Sequence, residues 1–252
     1  MSDKTTALEH DIALSKTLRP GGDHYRAYVG PPTQYDFMGA TQFRLLTSLG
    51  LREEHHVVDI GCGSLRTGRY ILNYLMPGRY TGVEPNPWLW QHAIEHELGA
   101  DLIRLKSPRF LTEDDFQLAD VAAGSINYIV AQSIYSHTGQ DALLTSLKAA
   151  ARSLTPDGQY LFTIVTPDNK GAQNMAAGAD SVGWIYPKCV TFTPDEVADV
   201  CATAGLHVQQ LPWYHPRQTW FRATLRADLA MSAQMMIDLG TGKPLFDDRF
   251  HD

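Results

Sequence analysis

The stretch VVDIGCGSLRTG, residues 57–68, begins as a short apolar strand and runs into the start of a helix. Between them, Gly61 and Gly63 allow a tight turn in which a ligand can approach the backbone closely. In a doubly wound sheet, ligands bind beyond the carboxyl ends of the strands, at a strand–turn–helix of this kind. The stretch therefore predicts an α/β fold with a binding site at its glycines.

Short apolar runs and helical patterns alternate along the rest of the chain. Residues 87–98 and 142–154 have the apolar spacing of helices. This alternation is typical of a parallel sheet covered by helices on both faces. The predicted strands are 57–60, 80–84, 102–105, 126–132 and 159–165, followed by HVQQL and TWFRATL.

Helix signals also mark the two ends of the alternating region. Residues 35–50 have apolar side chains at helical spacing, and Gly50 stands where a helix often ends. Further along, Thr193 and Glu196 form a capping box, and Gly205 is placed to end the helix that they begin. The first helix is expected to bury Met38, Leu45, Leu46 and Leu49, and the helix after residue 63 to bury Leu65, Ile71, Leu72 and Leu75.

The composition narrows the classes of protein. The formal charge of −7 argues against a protein that binds the phosphate backbone of nucleic acids, because such proteins normally present basic surfaces. No apolar run is long enough for a membrane span or a secretory signal, so we expect a cytoplasmic protein without a membrane partner. The three cysteines lack the paired spacing of zinc or redox sites, which favours reduced thiols and no metal.

The chain lacks repeats and low-complexity linkers, which predicts one principal domain over residues 36–225. Residues 1–35 are expected to be an arm that covers this domain, and residues 166–191 a lid or substrate loop, since long polar connections often have that role. Residues 226–252 form a C-terminal tail. Its methionines in AMSAQMMIDL are expected to pack a helix, or else a homodimer contact.

Three residues around the glycine turn indicate the kind of ligand. A dinucleotide-binding turn would have a third glycine where this chain has Arg66. Asp59 would repel a pyrophosphate but suits a cation. Glu84, 23 residues after Gly61, follows the second strand, where a carboxylate can accept hydrogen bonds from both ribose hydroxyls. These residues predict a positively charged nucleoside without phosphates.

The ordered segments VVDIGCG, YTGVEPN, INYIVAQSIYSH and SLTPDGQYLFTIV resemble the motifs of class I S-adenosylmethionine-dependent methyltransferases. The resemblance covers residues 36–225 and implies a Rossmann-like, doubly wound sheet of seven strands. The sheet would be mostly parallel, with TWFRATL as a last, antiparallel strand, and with a helical N-terminal cover. S-adenosylmethionine is the implied cofactor, and S-adenosylhomocysteine the implied product.

The resemblance also implies roles for individual residues. Asp59 and the two glycines would lie beside the methionine part of the cofactor, Glu84 at the ribose and Pro85 near the adenine. Arg66 is either a partner of the methionine carboxylate or a solvated residue. The family often has Asp or Asn for the adenine amino group after the third strand, whereas KSPRF offers Lys106, Ser107 and Arg109. The predicted cofactor contacts are Asp59, Gly61, Cys62, Gly63, Arg66, Glu84, Pro85, Asn86, Ser107, Gln132 and Ser133.

Candidates for catalysis follow the fourth strand, in QSIYSHTG. Methyl transfer depends mainly on alignment, and a base helps where the acceptor carries a proton. His137 has the ordinary pKa of such a base, although a packing or hydrogen-bonding role is the interpretation that the family favours. Tyr135 is the second catalytic candidate.

Two further groups of aromatic and polar side chains have open interpretations. The first, in DHYRAYVGPPTQY, covers the cofactor or packs on the sheet edge; its members are His24, Tyr25, Arg26, Tyr28 and Tyr35. The second lies near the same end of the sheet and either forms walls for the acceptor or caps the core; its members are Trp184, Tyr186, Trp213, Tyr214 and His215.

The leading hypothesis is an enzyme that methylates an oxygen or nitrogen atom of a small-molecule metabolite. The first alternative keeps S-adenosylmethionine but uses it for cyclisation, rearrangement or transfer of another group. A non-catalytic partner subunit is disfavoured because Asp59, both glycines and Glu84 are present. A nicotinamide oxidoreductase would be distinguished by binding of NADH.

Overall fold

The computed structural model describes residues 2–243 and Leu245, with the backbone alone for residues 2–8. A sheet of seven strands forms its centre. Its strands are β1 (Val57–Ile60), β2 (Tyr80–Val83), β3 (Arg109–Leu111), β4 (Ile126–Ala131), β5 (Leu154–Ile164), β8 (His207–Leu211) and β9 (Thr219–Thr224); β6 (Ala176–Ala177) and β7 (Val190–Thr191) pair separately.

The strand order in the sheet is β3-β2-β1-β4-β5-β9-β8. Strands β1 to β5 run parallel, and β9 runs antiparallel to both of its neighbours, β5 and β8. The chain goes from β1 outward to β2 and β3 and later returns to the other side of β1. The turn after β1 therefore lies where the strand order reverses, which is the expected ligand position. The expected seven-stranded fold is confirmed.

Helices cover both faces of the sheet. Adjacent residues of β1 point to opposite faces, with Val57 in one buried cluster and Val58 in the other. The cluster around Val57 includes Leu45, Leu46 and Ile71, and the one around Val58 includes residues of the helices at 140–153 and 194–203. The helices are α1 (Ser2–Ser15), α2 (Tyr25–Tyr28), α3 (Tyr35–Ser48), α4 (Gly68–Tyr74), α5 (Pro87–Ala93), α6 (Ala100–Lys106), α7 (Gln140–Ser153), α8 (Pro194–Thr203) and α9 (Ala233–Thr241).

The third strand is the main departure from the expected strands. Residues 102–105 were expected to be a strand, but they belong to α6, and β3 begins at Arg109. In α6, Ile103 packs against the core while Leu105 is 63% exposed, so the apolar run has one buried side. A four-residue apolar run fits either structure, and tertiary packing decides between them.

The N-terminal arm is anchored to the domain by polar contacts. Residues 20–34 include the short helix α2 and a 3₁₀ turn at Pro32–Gln34. The His24 side chain caps α2 by accepting a hydrogen bond from the Arg26 amide. The Arg26 guanidinium pairs with Glu97 at 2.8 Å, and Glu97 also pairs with Arg69 at 2.7 Å. Arm and domain are thus joined by a buried ion-pair network.

The loop of residues 166–191 is docked on the segment that follows β4. The Gly183 amide donates to the Asp141 carboxylate at 2.9 Å, and the Ile185 amide donates to the His137 carbonyl at 2.8 Å. A side chain at Gly139 would meet the Ser181 carbonyl oxygen, so glycine is required for this close approach. The loop is therefore held over the end of β4.

The tail supplies α9, which Ser232 caps by accepting from the Met235 amide. Leu239 is fully buried, and Met235 and Met236 pack against the core, which agrees with the expected helix packing. Residues 246–252 of the tail lie outside the described part. Among the helices in that described part, none combines the length and the apolar character needed to cross a membrane.

Candidate active site

A cavity of about 560 Å³ opens at the carboxyl ends of the parallel strands. Its walls come from the arm, the turn after β1, the segments that follow β2 to β5, the loop of residues 166–191, and the segment before β9. A volume of this size lies in the range of ordinary small-molecule sites. The expected residues that line it are Asp59, Gly61, Cys62, Gly63, Arg66, Glu84, Pro85, Asn86, Gln132, Ser133 and His137.

The two glycines of the turn have left-handed backbone conformations. Gly61 has φ +67° and Gly63 has φ +52°. A Cβ atom at Gly61 would lie 2.0 Å from Cδ1 of Ile134, and one at Gly63 would lie 2.7 Å from Cγ1 of Val29. The turn thus needs glycine for its conformation and for its close contacts. It leaves a backbone cradle on the wall of the cavity.

Glu84 lies beside this cradle and is held by three hydrogen bonds. One carboxylate oxygen accepts from the Gly63 amide at 3.1 Å. The other accepts from the backbone and side-chain nitrogens of Asn86, at 2.9 Å and 2.8 Å. Burial raises the pKa of Glu84, and these hydrogen bonds oppose that shift. The carboxylate is therefore fixed in direction and keeps free lone pairs for a ligand.

Asp59 lies on β1 and is almost fully buried. Burial raises its pKa to about 7, while the hydrogen bond from the Tyr80 hydroxyl, 2.9 Å long, and the charge of Arg66 oppose the shift. The Arg66 guanidinium donates to the Val29 carbonyl at 3.0 Å. An acid and a cation thus stand together at the cradle, as a zwitterionic amino-acid group would require.

Two amide side chains that line the cavity, Gln132 and Gln218, have polar atoms without a partner among the described residues. Neither the oxygen nor the nitrogen of the Gln132 side chain has a hydrogen-bond partner in the part of the chain that the structure describes, although the residue is only 8% exposed. Gln218 donates to the Ser133 hydroxyl at 3.0 Å, but its own oxygen is likewise unpartnered there. Buried polar atoms normally have partners, so these atoms are suited to a ligand.

His137 lies on the same cavity wall, after β4. Its Nδ1 atom donates to the Lys188 carbonyl at 2.7 Å, and this leaves Nε2 as the acceptor nitrogen of the neutral ring. Burial lowers the pKa of His137, the hydrogen bond to Lys188 raises it, and the charge of Arg217 lowers it, with a net decrease. The imidazole is therefore mostly neutral at pH 7 and can accept a proton.

Tyr135 and Ser107 do not reach the cavity. The Tyr135 side chain is fully buried in the core, where its hydroxyl bonds to Ser146 and Tyr160. Burial raises its pKa to about 12, which makes it unsuited to proton transfer. Ser107 ends α6 before β3, at the opposite end of that strand from the site. Its expected position depended on a strand at residues 102–105, and both residues are withdrawn as candidates.

The arm contributes mainly packing. Tyr28 and Val29 line the cavity, whereas the side chains of Tyr25 and Tyr35 are buried. The Tyr35 hydroxyl donates to the Ser64 carbonyl at 2.7 Å, on the far side of the glycine turn. The arm therefore borders the cavity and also packs on the domain.

In the second aromatic group as well, some members line the cavity and others do not. Trp184, Tyr186 and His215 line the cavity. Trp213 instead packs against α3 and donates to the Thr41 carbonyl at 3.2 Å, and Tyr214 lies at the surface against Phe37. Only the first three are thus available to a bound molecule.

Four charged residues that line the cavity were not expected from the sequence. Glu113 and Asp114 follow β3, Lys170 follows β5, and Arg217 precedes β9. The two acids would have been found if the third strand had been placed at 109–111, because they come directly after it. Lys170 and Arg217 lie in irregular segments, and no local pattern distinguishes them from solvated charges.

Comparisons with known proteins support one family. Residues 58–160 match the family described as Methyltransferase domain. No curated protein matches the chain. Among solved structures, one similar chain comes from the complex between the Haloferax volcanii Trm112 methyltransferase activator and a methyltransferase. Its TM-score is 0.56 at 17% identity, and the alignment covers 77% of this chain and 92% of that chain.

Two structures with S-adenosylhomocysteine (SAH) share the fold to a similar extent. The DhpI–SAH complex has a TM-score of 0.55 at 15% identity, with 86% of this chain and 95% of that chain covered. Magnesium protoporphyrin IX methyltransferase from Synechocystis PCC 6803 with bound SAH has a TM-score of 0.55 at 14% identity, with 88% and 98% covered. At these low sequence identities, the similarity shows only that the proteins share a fold.

Proposed function

We propose that the chain is a class I S-adenosylmethionine-dependent methyltransferase that methylates an oxygen or nitrogen atom of a small molecule. The observation that carries the proposal is the geometry around the glycine turn. Gly61 and Gly63 form a tight backbone turn on the cavity wall, and Asp59 and Glu84 lie beside it at the ends of adjacent strands. A glycine turn with two carboxylates beside it suits a cationic nucleoside.

The lining residues fit S-adenosylmethionine group by group. Glu84 would accept from the ribose hydroxyls, and Asp59 would face the ammonium group. Arg66 would pair with the carboxylate of the methionine part, and the unpartnered amide of Gln132 would bond to its polar atoms. Either Glu113 or Asp114 would receive the adenine amino group. When bound, S-adenosylmethionine supplies an electrophilic methyl group on a sulfonium.

We assign His137 as the base for an acceptor that carries a proton. The bond from Nδ1 to the Lys188 carbonyl fixes the tautomer, so Nε2 can take the proton from an O–H or N–H group. Contacts with the rings of Trp184 and Tyr186, at 5.8 Å and 5.1 Å between centroids, fix the position of the imidazole. These contacts orient the base.

A small acceptor is supported by the walls of the cavity. The arm and the loop of residues 166–191 both border it, and the net charge of −7 disfavours binding of nucleic acid, whose partners normally present basic surfaces. The three cysteines are all free thiols, which supports a reducing compartment such as the cytoplasm.

The function is tested by turnover of labelled cofactor. Purified protein is incubated with methyl-labelled S-adenosylmethionine and pools of small metabolites, and products are identified by mass spectrometry. Methyl transfer predicts one molecule of SAH for each methylated product. Consumption of the cofactor without formation of SAH would indicate a different reaction, and absence of cofactor binding in calorimetry would contradict the assignment altogether.

Replacing Glu84 by Ala should weaken cofactor binding by about 1.5–3 kcal/mol, the usual range for losing hydrogen bonds to a charged group. Calorimetry with SAH measures the change. Glu84→Gln, which keeps one acceptor oxygen, should lie between the wild type and Glu84→Ala. Thermal unfolding of each variant separates a loss of contact from a loss of fold, and unchanged affinity would place the ribose elsewhere.

Binding of S-adenosylmethionine at pH 6 should release close to one proton. Asp59 is mostly protonated at that pH because its pKa is about 7, and a neighbouring ammonium group favours the carboxylate form. The cofactor's amino group is already charged there, since its pKa is about 7.7–8.0.

The measurement is calorimetry at pH 6 in buffers of different ionisation enthalpy. The binding heat of the wild type should depend on the buffer, and that of Asp59→Asn should not. Equal buffer dependence of the two proteins would show that another group loses the proton.

A further inference from the structure

Opposite charges line the two ends of the cavity. The four carboxylates in its wall, Asp59, Glu84, Glu113 and Asp114, follow or belong to β1, β2 and β3. Lys170 follows β5, and Arg217 precedes β9, on the other side of β4. The acidic end suits the cationic cofactor. The basic end is the part of the cavity left for the acceptor.

The two cations at the basic end lack acidic partners. Lys170 and Arg217 are exposed, and within the described part of the chain neither forms an ion pair with a carboxylate. By contrast, Arg26 and Arg69 are both paired with Glu97. In an acidic protein, two unpaired cations on one cavity wall favour an anionic ligand.

The positive charge of Arg217 also affects the pKa of the neighbouring residue His215. The Arg217 amide donates to Nδ1 of His215 at 3.2 Å, so the two residues are adjacent in the wall. Burial, followed by the charges of Arg66 and Arg217, lowers the pKa of His215 to about 3. The imidazole is therefore neutral and leaves recognition of an anion to the permanent cations.

Exposed aromatic surface lies beside the cations. Trp184 and Tyr186 are 56% and 45% exposed, although both border the cavity. Their rings are nearly parallel, at 17° and 6.3 Å between centroids, and both contact His137. Large aromatic side chains that are left open in a cavity are suited to packing against a flat, apolar molecule.

We propose that the methyl acceptor is an anionic aromatic molecule, with its ring on Trp184 and Tyr186 and its anionic group, such as a carboxylate, on Arg217 and Lys170. This inference rests on the proposed function, because it takes the acidic end of the cavity as the cofactor's. An acceptor held in this way can present a ring hydroxyl or amino group to His137, which lines the same cavity and contacts both aromatic rings.

The test uses the protein saturated with SAH and a panel of planar probes in matched pairs. Each pair is a hydroxylated or aminated aromatic carboxylate and its neutral amide, such as salicylate and salicylamide, with larger fused-ring members included. Calorimetry gives both affinities. For the best pair, the carboxylate should bind at least about tenfold more tightly than the amide, and added salt should reduce that preference.

Three variants identify the positive charge that causes the preference for the carboxylate probe. Arg217→Gln and Lys170→Gln should each reduce the preference for the carboxylate several-fold, and they should leave SAH affinity close to that of the wild type. Lys148→Gln removes one positive charge from the exposed face of α7, away from the cavity, and should retain the full preference.

The outcomes separate this inference from the proposed function. If SAH binds but the amides bind as tightly as the carboxylates, or if no carboxylate of the panel binds, the inference is wrong and the methyltransferase assignment stands. If Lys148→Gln reduces the preference as much as Arg217→Gln does, the anion is not held at this wall, which also overturns the inference. If SAH itself does not bind, the proposed function fails.

Discussion

His137→Ala is expected to lower the rate of methyl transfer by ~10²–10⁴, the usual contribution of a positioned acid–base group. Cofactor affinity should stay close to that of the wild type, because the His137 ring contacts Trp184 and Tyr186 and has no hydrogen bond to the glycine turn within the described residues. Single-turnover rates with saturating S-adenosylmethionine measure the loss, and calorimetry measures the affinity.

A matched variant separates the base from its structural contact. His137→Asn can keep an N–H donor near the position of Nδ1, and so retain the bond to the Lys188 carbonyl that helps to hold the loop. It has no basic nitrogen. If His137 is the base, the rate of His137→Asn should be as low as that of His137→Ala. Recovery of the rate by Asn would assign a structural role instead.

The pH profile provides an independent check on this base. A base acts when it is deprotonated, so the wild-type rate should fall as the pH decreases through the pKa of His137. Burial places that pKa below the ordinary value of about 6.5. The acidic limb should therefore lie below that pH and be missing from His137→Asn. Profiles of the same shape and similar rates in both proteins would exclude His137 from proton transfer.

Gly61→Ala should weaken cofactor binding by about 10²-fold or more, which corresponds to about 2.7 kcal/mol. The added Cβ would lie 2.0 Å from Cδ1 and 2.8 Å from Cγ1 of Ile134, so the turn that we propose as the cofactor site would have to shift. It would also impose a left-handed conformation, with φ +67°, on a residue that disfavours it.

Gly78→Ala is the matched control for Gly61→Ala. Gly78 has φ +75°, but a Cβ atom there would meet nothing within 4 Å. This variant should lose a similar amount of stability from backbone strain and keep its affinity for SAH. Titration calorimetry and thermal unfolding of both variants make the comparison. Equal affinities of Gly61→Ala and the wild type would show that the cofactor does not approach this turn.

Errors in the sequence-based predictions occur where local patterns are ambiguous. The run LIRL has the apolar content of a short strand, but it forms the partly buried side of α6. That single error moved the third strand and led to Ser107 in place of Glu113 and Asp114. Tyr135 is a different case, because a residue that follows a strand can face either the cavity or the core, and only the turn Tyr135–His137 determines which.

The sequence by itself determined the strand and turn at residues 57–68, the position of the acid Glu84 after the second strand, the capping box at Thr193 and, through the order of its motifs, the seven-stranded topology. These features depend on neighbouring residues: apolar periodicity, glycine conformation and side-chain bonds to nearby backbone groups. Tertiary structure alone decided that Lys170, Arg217 and the rings of the 166–191 loop meet His137 at one cavity. Those groups are far apart along the chain, and packing of the sheet brings them together, so no local pattern encodes their proximity.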